Sequence, residues 1–416
     1  MKSIPLAADY IKDFEQLGFG MFVHYGLFSI LESGEWSFSI HKRNMDEYSK
    51  LIDNFNTKAD AIKNIVAIAK NAGCKYITLT ARHHEGFSLY DTKGLNDFDV
   101  MHSPTARDLV KEFVNECNKE GIIPFLYHTT LDWYVKEFNQ DFNAYLKYLQ
   151  KSIELLCTNY GKIGGFWFDG NWSKPEADWK ENELYGMIRT LQPKTMIINN
   201  TGVNKRGETG ADEIDSVTYE RGMPTPIDRR GMKKYVAGEM CETLCDHWGA
   251  ADDVNYKSVK QIIEELCECR KVGANFLLNI APNADGSVNK IQEGIMERIG
   301  HWMGLFGKAI YNGRPYTSYL NNKDFILKDE KNKKTFYLFK FNLKASYGDQ
   351  NVTIDFNDDK ISEFPQFNAG EIEKISWMDN NEELRFTQEN DLLKVFCTGF
   401  NYGKAYCVRV AEIKLK

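Results

Sequence analysis

Short apolar runs recur along the first part of the chain, and most of them are spaced widely enough to leave room for a helix in between. Each run is bounded by glycine or polar residues, a pattern typical of buried strands. Eight runs have this form: GMFVHYG (20–26), YITLTAR (76–82), IIPFLYH (122–128), GGFWFDG (164–170), TMIINNT (195–201), VTYERG (217–222), VAGEMC (236–241) and ANFLLNI (274–280).

Amphipathic stretches lie between these runs and end in glycine, the usual stop for a helix. Examples are AIKNIVAIAKNAG, RDLVKEFVNECNKEG, AYLKYLQKSIELLCTNYG and SVKQIIEELCECRKVG. Repeated strand–helix units predict a parallel sheet, and eight of them predict a TIM-type (β/α)8 barrel. The segments between strands five, six and seven are too short for a crossover helix. The barrel is therefore predicted to be incomplete around strands 5–7, with loops in place of helices.

The pattern changes near residue 315, where short alternating segments separated by turn residues replace the strand–helix units. FILKD, TFYLFKF, NVTIDF, EIEKISW, LRFTQ, LLKVFC and AYCVRVAEIKL have the alternation expected of strands. They predict an antiparallel β-sandwich. We therefore expect two domains, a catalytic barrel over 1–315 and a C-terminal sandwich over 316–416.

Composition and charge exclude several classes of protein. The chain is 43% apolar and 27% charged, as in globular proteins, and its net charge of −7 comes with no basic stripe, so nucleic acid is not an expected partner. No apolar run approaches the length of a membrane span, so no membrane partner is expected.

The first residues lack the apolar core of a signal peptide, which favours a cytoplasmic protein, or a secreted or periplasmic one if a leader has been removed. The nine irregularly spaced cysteines indicate reduced, mostly buried thiols. Nothing in the sequence indicates the oligomeric state.

Polar residues end nearly every predicted barrel strand, where barrel enzymes carry their chemistry. One such residue alone is as often a helix cap or a turn former. Together they indicate a polar pocket, and they are His24, His83, His84, Tyr127, His128, Asp169, Asn199, Asn200, Glu220, Glu239 and Asn279. There is no phosphate-binding glycine loop, GxSxG elbow or HExxH motif. Carboxylates, imidazoles and aromatic walls suit a sugar, with a two-histidine metal site as a minor alternative.

The stretch GGFWFDGNW (164–172) ends an apolar strand on a single acid, Asp169. An ionised carboxylate among aromatic residues is costly unless it is paired or used. Glycoside hydrolysis uses two carboxyl groups that face each other across the scissile bond. Asp169 and Glu220 end strands four and six, so they can face one another. Glu239, read as ending strand seven, competes with Glu220.

Six segments closely resemble the α-L-fucosidases of glycoside hydrolase family 29. They are GFGMFVHYGLFS, GEWSFS, LTARHHEGFSLYDT, LYHTTLDWY, GGFWFDG and NFLLNIAPNADG, and the match runs in order across residues 18 to about 315, most of the predicted barrel. ARHHEGF followed by LDW and FWFDG is a specific combination. The resemblance implies a (β/α)8-like barrel with a C-terminal β-sandwich. It also implies retaining hydrolysis of a fucosylated oligosaccharide or glycoconjugate, with no cofactor and no metal.

The resemblance also implies roles for individual residues. Asp169 matches the nucleophile that forms a covalent fucosyl-enzyme. The position of the acid/base varies in the family; DSVTYERG places Glu220 at one candidate position and GEMCETLC places Glu239 at another, and Glu220 is favoured. The implied sugar contacts are His24, Glu35, Trp36, His83, His84, Tyr127, Trp167 and Trp248, the last against the 6-methyl group of fucose.

One departure from the family lies at the end of strand five. Some relatives carry an arginine there, whereas this chain has Asn200 and Thr201, with Arg206 displaced into the following loop. Three other interpretations remain open. They are a non-catalytic sugar-binding relative, a hydrolase of another α-linked sugar, and metal-assisted hydrolysis through His83 and His84.

Overall fold

The computed structural model describes residues 3–316, 323–343 and 361–416. Its first architectural feature is a closed barrel of eight parallel strands, in which each strand pairs with the next and β8 pairs with β1. The strands are β1 Phe19–Val23, β2 Tyr76–Arg82, β3 Ile123–Thr129, β4 Gly165–Asp169, β5 Met196–Asn200, β6 Ser216–Glu220, β7 Ala237–Thr243 and β8 Asn275–Ile280. These are the eight predicted strands, with ends shifted by a few residues at most, so the predicted barrel is confirmed.

Ten α-helices occur in the part of the chain that the structure describes. They are α1 Asp9–Leu17, α2 Ser37–Ile40, α3 Met45–Tyr48, α4 Ala61–Ala72, α5 Leu109–Glu120, α6 Glu137–Gln140, α7 Phe142–Asn159, α8 Glu181–Leu191, α9 Val259–Lys271 and α10 Lys290–Asn312. Four of them, α4, α5, α7 and α9, are the predicted ones. Helices α4 and α5 are followed directly by Gly73 and Gly121, whose φ angles of 85° and 71° place them in the left-handed region that favours glycine.

The barrel lacks a helical layer beside β5, β6 and β7. Residues 201–215 and 221–236, all described, connect these strands without a helix. The predicted loops are therefore confirmed, although the sheet itself remains closed. The pairing between β5 and β6 is short, with Ile198 opposite Ser216 as its registered pair.

Strand β7 extends further than its sequence pattern suggested. It runs to Thr243, so Glu239 is its third residue and does not end the strand. In the β6–β7 register, Glu239 lies opposite Thr218, whereas Glu220 lies opposite Cys241. The expectation that Glu239 ends strand seven is therefore wrong. The backbone of Glu239 lies deeper in the barrel than that of Glu220.

The start of β4 depends on two adjacent glycines. A Cβ atom built on Gly165 would lie 2.1 Å from the ring of Phe125, and one on Gly164 would lie 2.2 Å from the side chain of Ile123. Real atoms do not approach this closely. The paired glycines of GGFWFDG therefore allow the start of β4 to lie in close contact with the Ile123 and Phe125 side chains of β3.

Grouping by proximity separates the chain into two compact units. The first contains the barrel, with residues up to Lys257 and Ala274–Glu297, and the second contains Ser258–Gly273 and the residues from Arg298 onward. The domain boundary expected at residue 315 stays a prediction.

The second unit contains two antiparallel sheets. Five strands form the order β13–β16–β11–β10–β9 and three form the order β12–β15–β14. The strands are β9 Gly313–Pro315, β10 Phe325–Asp329, β11 Thr335–Lys340, β12 Ile361–Phe364, β13 Ile372–Trp377, β14 Arg385–Glu389, β15 Leu392–Phe396 and β16 Arg409–Leu415. One apolar cluster contains Leu338 and Ile413 from the first sheet and Phe364 and Leu393 from the second, so the predicted sandwich is confirmed. The predicted strand NVTIDF lies outside the described residues.

The nine cysteines all lie in the described part of the chain, and none of them forms a disulfide. Eight are buried and Cys407 is half-buried, which confirms the expectation that most of the thiols are buried. Among the residues described, no helix combines the length and the apolar character needed to span a membrane.

Candidate active site

A cavity of about 1310 Å³ lies at the ends of the barrel strands. Ten of the eleven predicted site residues line it: His24, Glu35, Trp36, His83, His84, Tyr127, Trp167, Asp169, Glu220 and Trp248. Glu239 is the exception. The fold therefore brings together residues that are up to 224 positions apart in sequence. Glu35, Trp36 and Trp248, which the family resemblance indicated, line the same cavity as the strand-end residues.

Asp169 ends β4 and is held by donors on both carboxylate oxygens. The Tyr127 hydroxyl donates to Oδ2 over 3.0 Å, and Nε2 of His84 lies 3.4 Å from the same oxygen. The indole of Trp172 donates to Oδ1 over 2.8 Å, and Asn200 donates to Oδ1 over 3.2 Å. Burial favours the neutral acid, but the contacts with His84, Trp172 and Tyr127 outweigh it and hold the pKa of Asp169 below its ordinary value. Asp169 is therefore kept ionised.

Glu220 ends β6 and has the opposite tendency. Burial and the negative charge of Asp169 raise the pKa of Glu220 to about 7, despite a hydrogen bond from Asn200 that favours ionisation. The Asn200 amide nitrogen lies 2.8 Å from Oε2 of Glu220 and 3.2 Å from Oδ1 of Asp169. Because these distances add to 6.0 Å, the two carboxylate oxygens can be no farther apart than that.

Glu239 is buried in the barrel interior, 1% exposed, and is not part of the cavity wall. Its two oxygens accept hydrogen bonds from the Tyr76 hydroxyl and from the Trp167 indole nitrogen. Burial raises the pKa of Glu239 to about 7. Of the three acids singled out as catalytic candidates, the structure therefore brings Asp169 and Glu220 together and leaves Glu239 apart from them.

Two histidines of the cavity are held in the neutral form. Burial lowers the pKa of His24 to about 3, and Nδ1 of His24 lies 2.7 Å from Oδ1 of Asn279. Burial also holds the pKa of His83 well below its ordinary value, and the Glu85 carboxyl lies 3.2 Å from its Nδ1. The amide nitrogen of Asn279 donates to the backbone oxygen of Trp248, so its amide oxygen accepts from Nδ1 of His24. Nε2 of neutral His24 therefore remains as an acceptor for a sugar hydroxyl.

His84 is oriented by the strand beside it. Its Nδ1 lies 2.7 Å from the hydroxyl of Thr129, and this contact turns Nε2 toward Asp169. The rings of His83 and His84 have centroids 4.3 Å apart. In the His83–His84 pair, which was considered as a metal site, the His83 ring therefore faces Glu85 and the His84 ring faces Asp169. Within the described ranges, no three His, Cys, Asp or Glu residues are grouped so that they could hold a metal ion.

Aromatic rings form the apolar wall of the cavity. The ring of Trp248 lies 5.9 Å from that of Phe22 and 5.1 Å from that of His24. Glu35 contributes to this wall by fixing the backbone: its Oε2 accepts from the amide nitrogens of Trp248 at 3.1 Å and Gly249 at 2.8 Å. Glu35 therefore stabilises the segment that carries Trp248.

Sequence reasoning did not assign site roles to two residues that contact Asp169, namely Trp172 and Asn200. After Gly170, whose φ of 124° requires glycine, the chain forms a 3₁₀ turn over Asn171–Ser173 that returns Trp172 to the acid. The GNW sequence after the aspartate was the available clue to Trp172. Arg206, considered as a displaced cation, donates to the backbone oxygens of Glu220 and Arg221.

An eight-stranded barrel with two neighbouring carboxyl groups, one with a lowered pKa and the other with a pKa raised to about 7, has the arrangement of a glycoside hydrolase of the barrel type. The sequence model of the α-L-fucosidase family matches residues 6–308. The chain therefore belongs to the α-L-fucosidase family, and the resemblance found in its sequence is confirmed.

Individual relatives agree with this assignment. The tissue alpha-L-fucosidase of Rattus norvegicus is 27% identical over 332 residues, which cover 73% of this chain and 70% of the relative. The plasma alpha-L-fucosidase of Homo sapiens is 25% identical over 336 residues, with 73% and 70% covered. Among solved structures, alpha-L-fucosidase isoenzyme 1 from Paenibacillus thiaminolyticus matches with a TM-score of 0.84 at 28% identity, covering 98% of this chain and 99% of that chain.

Proposed function

We propose that this protein is a retaining exo-α-L-fucosidase that removes terminal α-L-fucosyl groups from fucosylated oligosaccharides or glycoconjugates. The observation that carries the proposal is the relationship between Asp169 and Glu220. Oδ1 of Asp169 and Oε2 of Glu220 share the Asn200 amide nitrogen as a donor and are at most 6.0 Å apart. The environments of the two acids shift their pKa values in opposite directions. Retaining glycosidases hold their two carboxyl groups about 5–5.5 Å apart, so that one can attack the sugar directly.

The first chemical step uses both acids. Protonated Glu220 donates its proton to the glycosidic oxygen as the bond to the anomeric carbon breaks. Ionised Asp169 attacks the anomeric carbon from the opposite face and forms a covalent ester, while the leaving group departs as an alcohol. The donors from Tyr127 and Trp172 hold the carboxylate in position for this attack.

The second step reverses the role of Glu220. Once Asp169 has become an ester, its negative charge no longer raises the pKa of Glu220, so Glu220 is more readily ionised and can accept a proton from water. That water attacks the anomeric carbon and releases Asp169 as a carboxylate. The sugar leaves with its original configuration after two inversions.

The sugar end of the cavity supports recognition of a small terminal residue. Phe22, Tyr127 and Trp167 are each no more than 2% exposed, so this end of the cavity is bounded by buried side chains. Neutral His24 and His83 offer hydrogen bonds to hydroxyl groups, while Phe22 and Trp248 offer an apolar surface to the methyl group of a 6-deoxysugar.

The test is the release of 4-nitrophenol from its α-L-fucoside by wild type and by variants, with and without azide. Asp169→Ala is expected to be inactive without azide and to give a fucosyl azide of inverted configuration with it. Glu220→Ala is expected to keep turnover of this activated substrate and to give an azide product of retained configuration. Asp9→Ala, which removes an exposed carboxylate on α1, serves as the control and is expected to behave as wild type.

Each of the other outcomes has a separate meaning. Wild type that binds fucose but does not cleave the fucoside would favour a non-catalytic sugar-binding protein. Cleavage of a different α-linked aryl glycoside in preference to the fucoside would move the specificity to another sugar. A product of inverted configuration from wild type would overturn the retaining mechanism.

A further inference from the structure

We propose that Asn200 is the positioning residue for both catalytic carboxyl groups: its single amide nitrogen serves Asp169 and Glu220 together, and Thr218 fixes the direction in which the amide points. The proposal rests on the proposed function for the roles of the two acids. It adds a shared donor that stabilises whichever of the two acids carries the negative charge at each stage of the reaction.

The position of Asn200 follows from the order of the strands. Asn200 is the last residue of β5, which lies between β4 and β6 in the sheet. It lies opposite Asp169 in the β4–β5 register, and its side chain also reaches Glu220 at the end of β6. The two acids belong to strands that do not pair with each other. Asn200 links them from the strand between.

The orientation of the amide is fixed by its oxygen. Oδ1 of Asn200 accepts from the hydroxyl of Thr218 at 3.0 Å and from the backbone nitrogen of Gly202 at 3.2 Å. A backbone N–H can only donate, so a flipped amide would set two donors against each other there. It would also turn the amide oxygen toward two carboxyl groups. Asn200 and Thr218 are 3% and 1% exposed, so water does not compete for these bonds.

The chemistry of the amide suits the redistribution of charge. A primary amide has two N–H bonds on one nitrogen, so it can serve two acids at once. In the resting enzyme the negative charge is on Asp169, and after ester formation and proton donation it is on Glu220. The same nitrogen is a donor to the charged acid in both states. Hydrogen bonds to charged groups in a buried site are the strong ones.

A neutral donor also preserves the difference between the two acids. A cationic side chain at this position would favour ionisation of both carboxyl groups. An amide contributes donors without net charge and leaves Glu220 able to keep its proton. The charged and titratable groups that face Glu220 are Asp169, Tyr127, Arg206, Arg221 and Cys241, and the variants below leave all of them in place.

The test compares two pairs of variants on 4-nitrophenyl α-L-fucoside. Asn200→Ala is expected to lower kcat about a hundredfold, the scale for loss of one preorganised donor, while KM changes by less than about threefold. Asn200→Asp, which places a third carboxyl group there, is expected to lose more. Thr218→Val is expected to lower kcat about tenfold, whereas Thr218→Ser, which keeps the hydroxyl, is expected to stay within about twofold of wild type.

The pH profile distinguishes a positioning role from a purely structural one. With a fucosyl disaccharide, whose leaving group needs a proton from Glu220, loss of the Asn200 donor is expected to move the alkaline limit of kcat/KM upward, because that donor stabilises the ionised form of Glu220. Normal kcat in Asn200→Ala and Thr218→Val overturns the proposal, as does a lower melting temperature with an unchanged pH profile.

A readout without turnover separates this proposal from the proposed function. Carbon-13 NMR of enzyme labelled at glutamate carboxyls, with Glu220→Gln to assign the resonance, follows the titration of Glu220. Asn200→Ala is expected to raise the measured pKa and Thr218→Ser to leave it unchanged. If wild type does not cleave the fucoside, the proposed function fails, yet a raised pKa would still support the shared donor. An unshifted Glu220 resonance overturns it whether or not the enzyme is active.

Discussion

The indole nitrogen of Trp167 donates to Oε1 of Glu239 over 2.9 Å. Trp167 lines the cavity and Glu239 does not, so the acid supports the cavity wall from within the barrel. The Tyr76 hydroxyl binds the other oxygen of Glu239. This environment explains why two acids with similarly raised pKa values, Glu220 and Glu239, are not equivalent candidates for the acid/base.

Replacing each of these acids with its amide should separate their roles. Glu220→Gln is expected to lower kcat/KM for a fucosyl disaccharide by about 10² to 10⁴, because its leaving group needs a proton. Glu239→Gln is expected to stay within about threefold, since its amide oxygen can accept from Trp167 and its amide nitrogen can donate to Tyr76. The measurement is kcat/KM for the two variants side by side. A greater loss in Glu239→Gln would contradict the assignment.

Glu239 should instead appear in the dependence of stability on pH. Its folded pKa of about 7 lies above the ordinary 4.5, so the folded state holds the proton more tightly. The resulting stabilisation is fully present below pH 4.5 and is lost as pH rises through 7, with a scale of about 3 kcal/mol. The melting temperature of wild type should therefore fall relative to that of Glu239→Gln between pH 5 and pH 8. Parallel curves would show that Glu239 does not titrate in this range.

The rate of wild type should be limited on the alkaline side by Glu220. This acid must be protonated to donate, and its pKa is about 7, so kcat/KM should fall as pH rises through 7. On the acid side the limit is the protonation of Asp169, whose pKa lies below its ordinary value, so that limb should occur below pH 4. A pH profile of kcat/KM with a fucosyl disaccharide, whose leaving group needs a proton, tests both limbs. The residual activity of Glu220→Gln on the same substrate should lack the alkaline limb.

Trp172 should contribute through its N–H as well as through its ring. Trp172→Phe keeps the ring and removes the donor to Asp169, so kcat/KM is expected to fall about tenfold, the scale of one hydrogen bond to a charged group. The acid limb should move upward, because the ionised form of Asp169 loses a donor. Trp179→Phe is the matched control, since that indole donates to the backbone oxygen of Lys174. Equal losses of kcat/KM in the two variants would show that the N–H of Trp172 has no special role in catalysis.

The glycine pair at the start of β4 should be sensitive to a single methyl group. Gly165→Ala is expected to destabilise the protein by about 1–3 kcal/mol, because the new Cβ overlaps the ring of Phe125. Gly186→Ala is the control: Gly186 lies within α8 with open space around it, so alanine is expected to stabilise by up to about 1 kcal/mol. Denaturant unfolding measures both. Equal stability of Gly165→Ala and wild type would mean that β4 can shift away from Phe125.

The barrel was predictable because its strands are apolar runs and its main helices have clear stops. YITLTAR coincides with β2, GMFVHYG overlaps β1, and the short segments after β5 and β6 correctly indicated missing helices. The pocket followed from one geometric rule about strand ends. Asp169 and Glu220 were therefore within reach of sequence reasoning. The short strands β9 and β12 were not, since three or four residues carry too little alternation.

The remaining details depend on register and on side-chain direction, which sequence spacing does not give. Glu239 was placed at a strand end because its run was read as stopping at Cys241, whereas pairing with β8 carries β7 on to Thr243. Asn200 was visible as a polar residue at the end of the strand between those of the two acids, but its contact with both depends on the direction of its side chain. Sequence spacing does not give that direction.

The neutral histidines of the cavity separate affinity from rate. His24 and His83 stay uncharged throughout the pH range in which Glu220 gains or loses its proton. Under the proposed function, a change of pH in this range alters the rate of cleavage through Glu220 and leaves the charge of these two histidines unchanged. A fucose-like inhibitor that binds through these histidines would therefore keep its affinity at pH values where turnover is already low. Binding to the site is then insensitive to pH in this range, whereas catalysis is not.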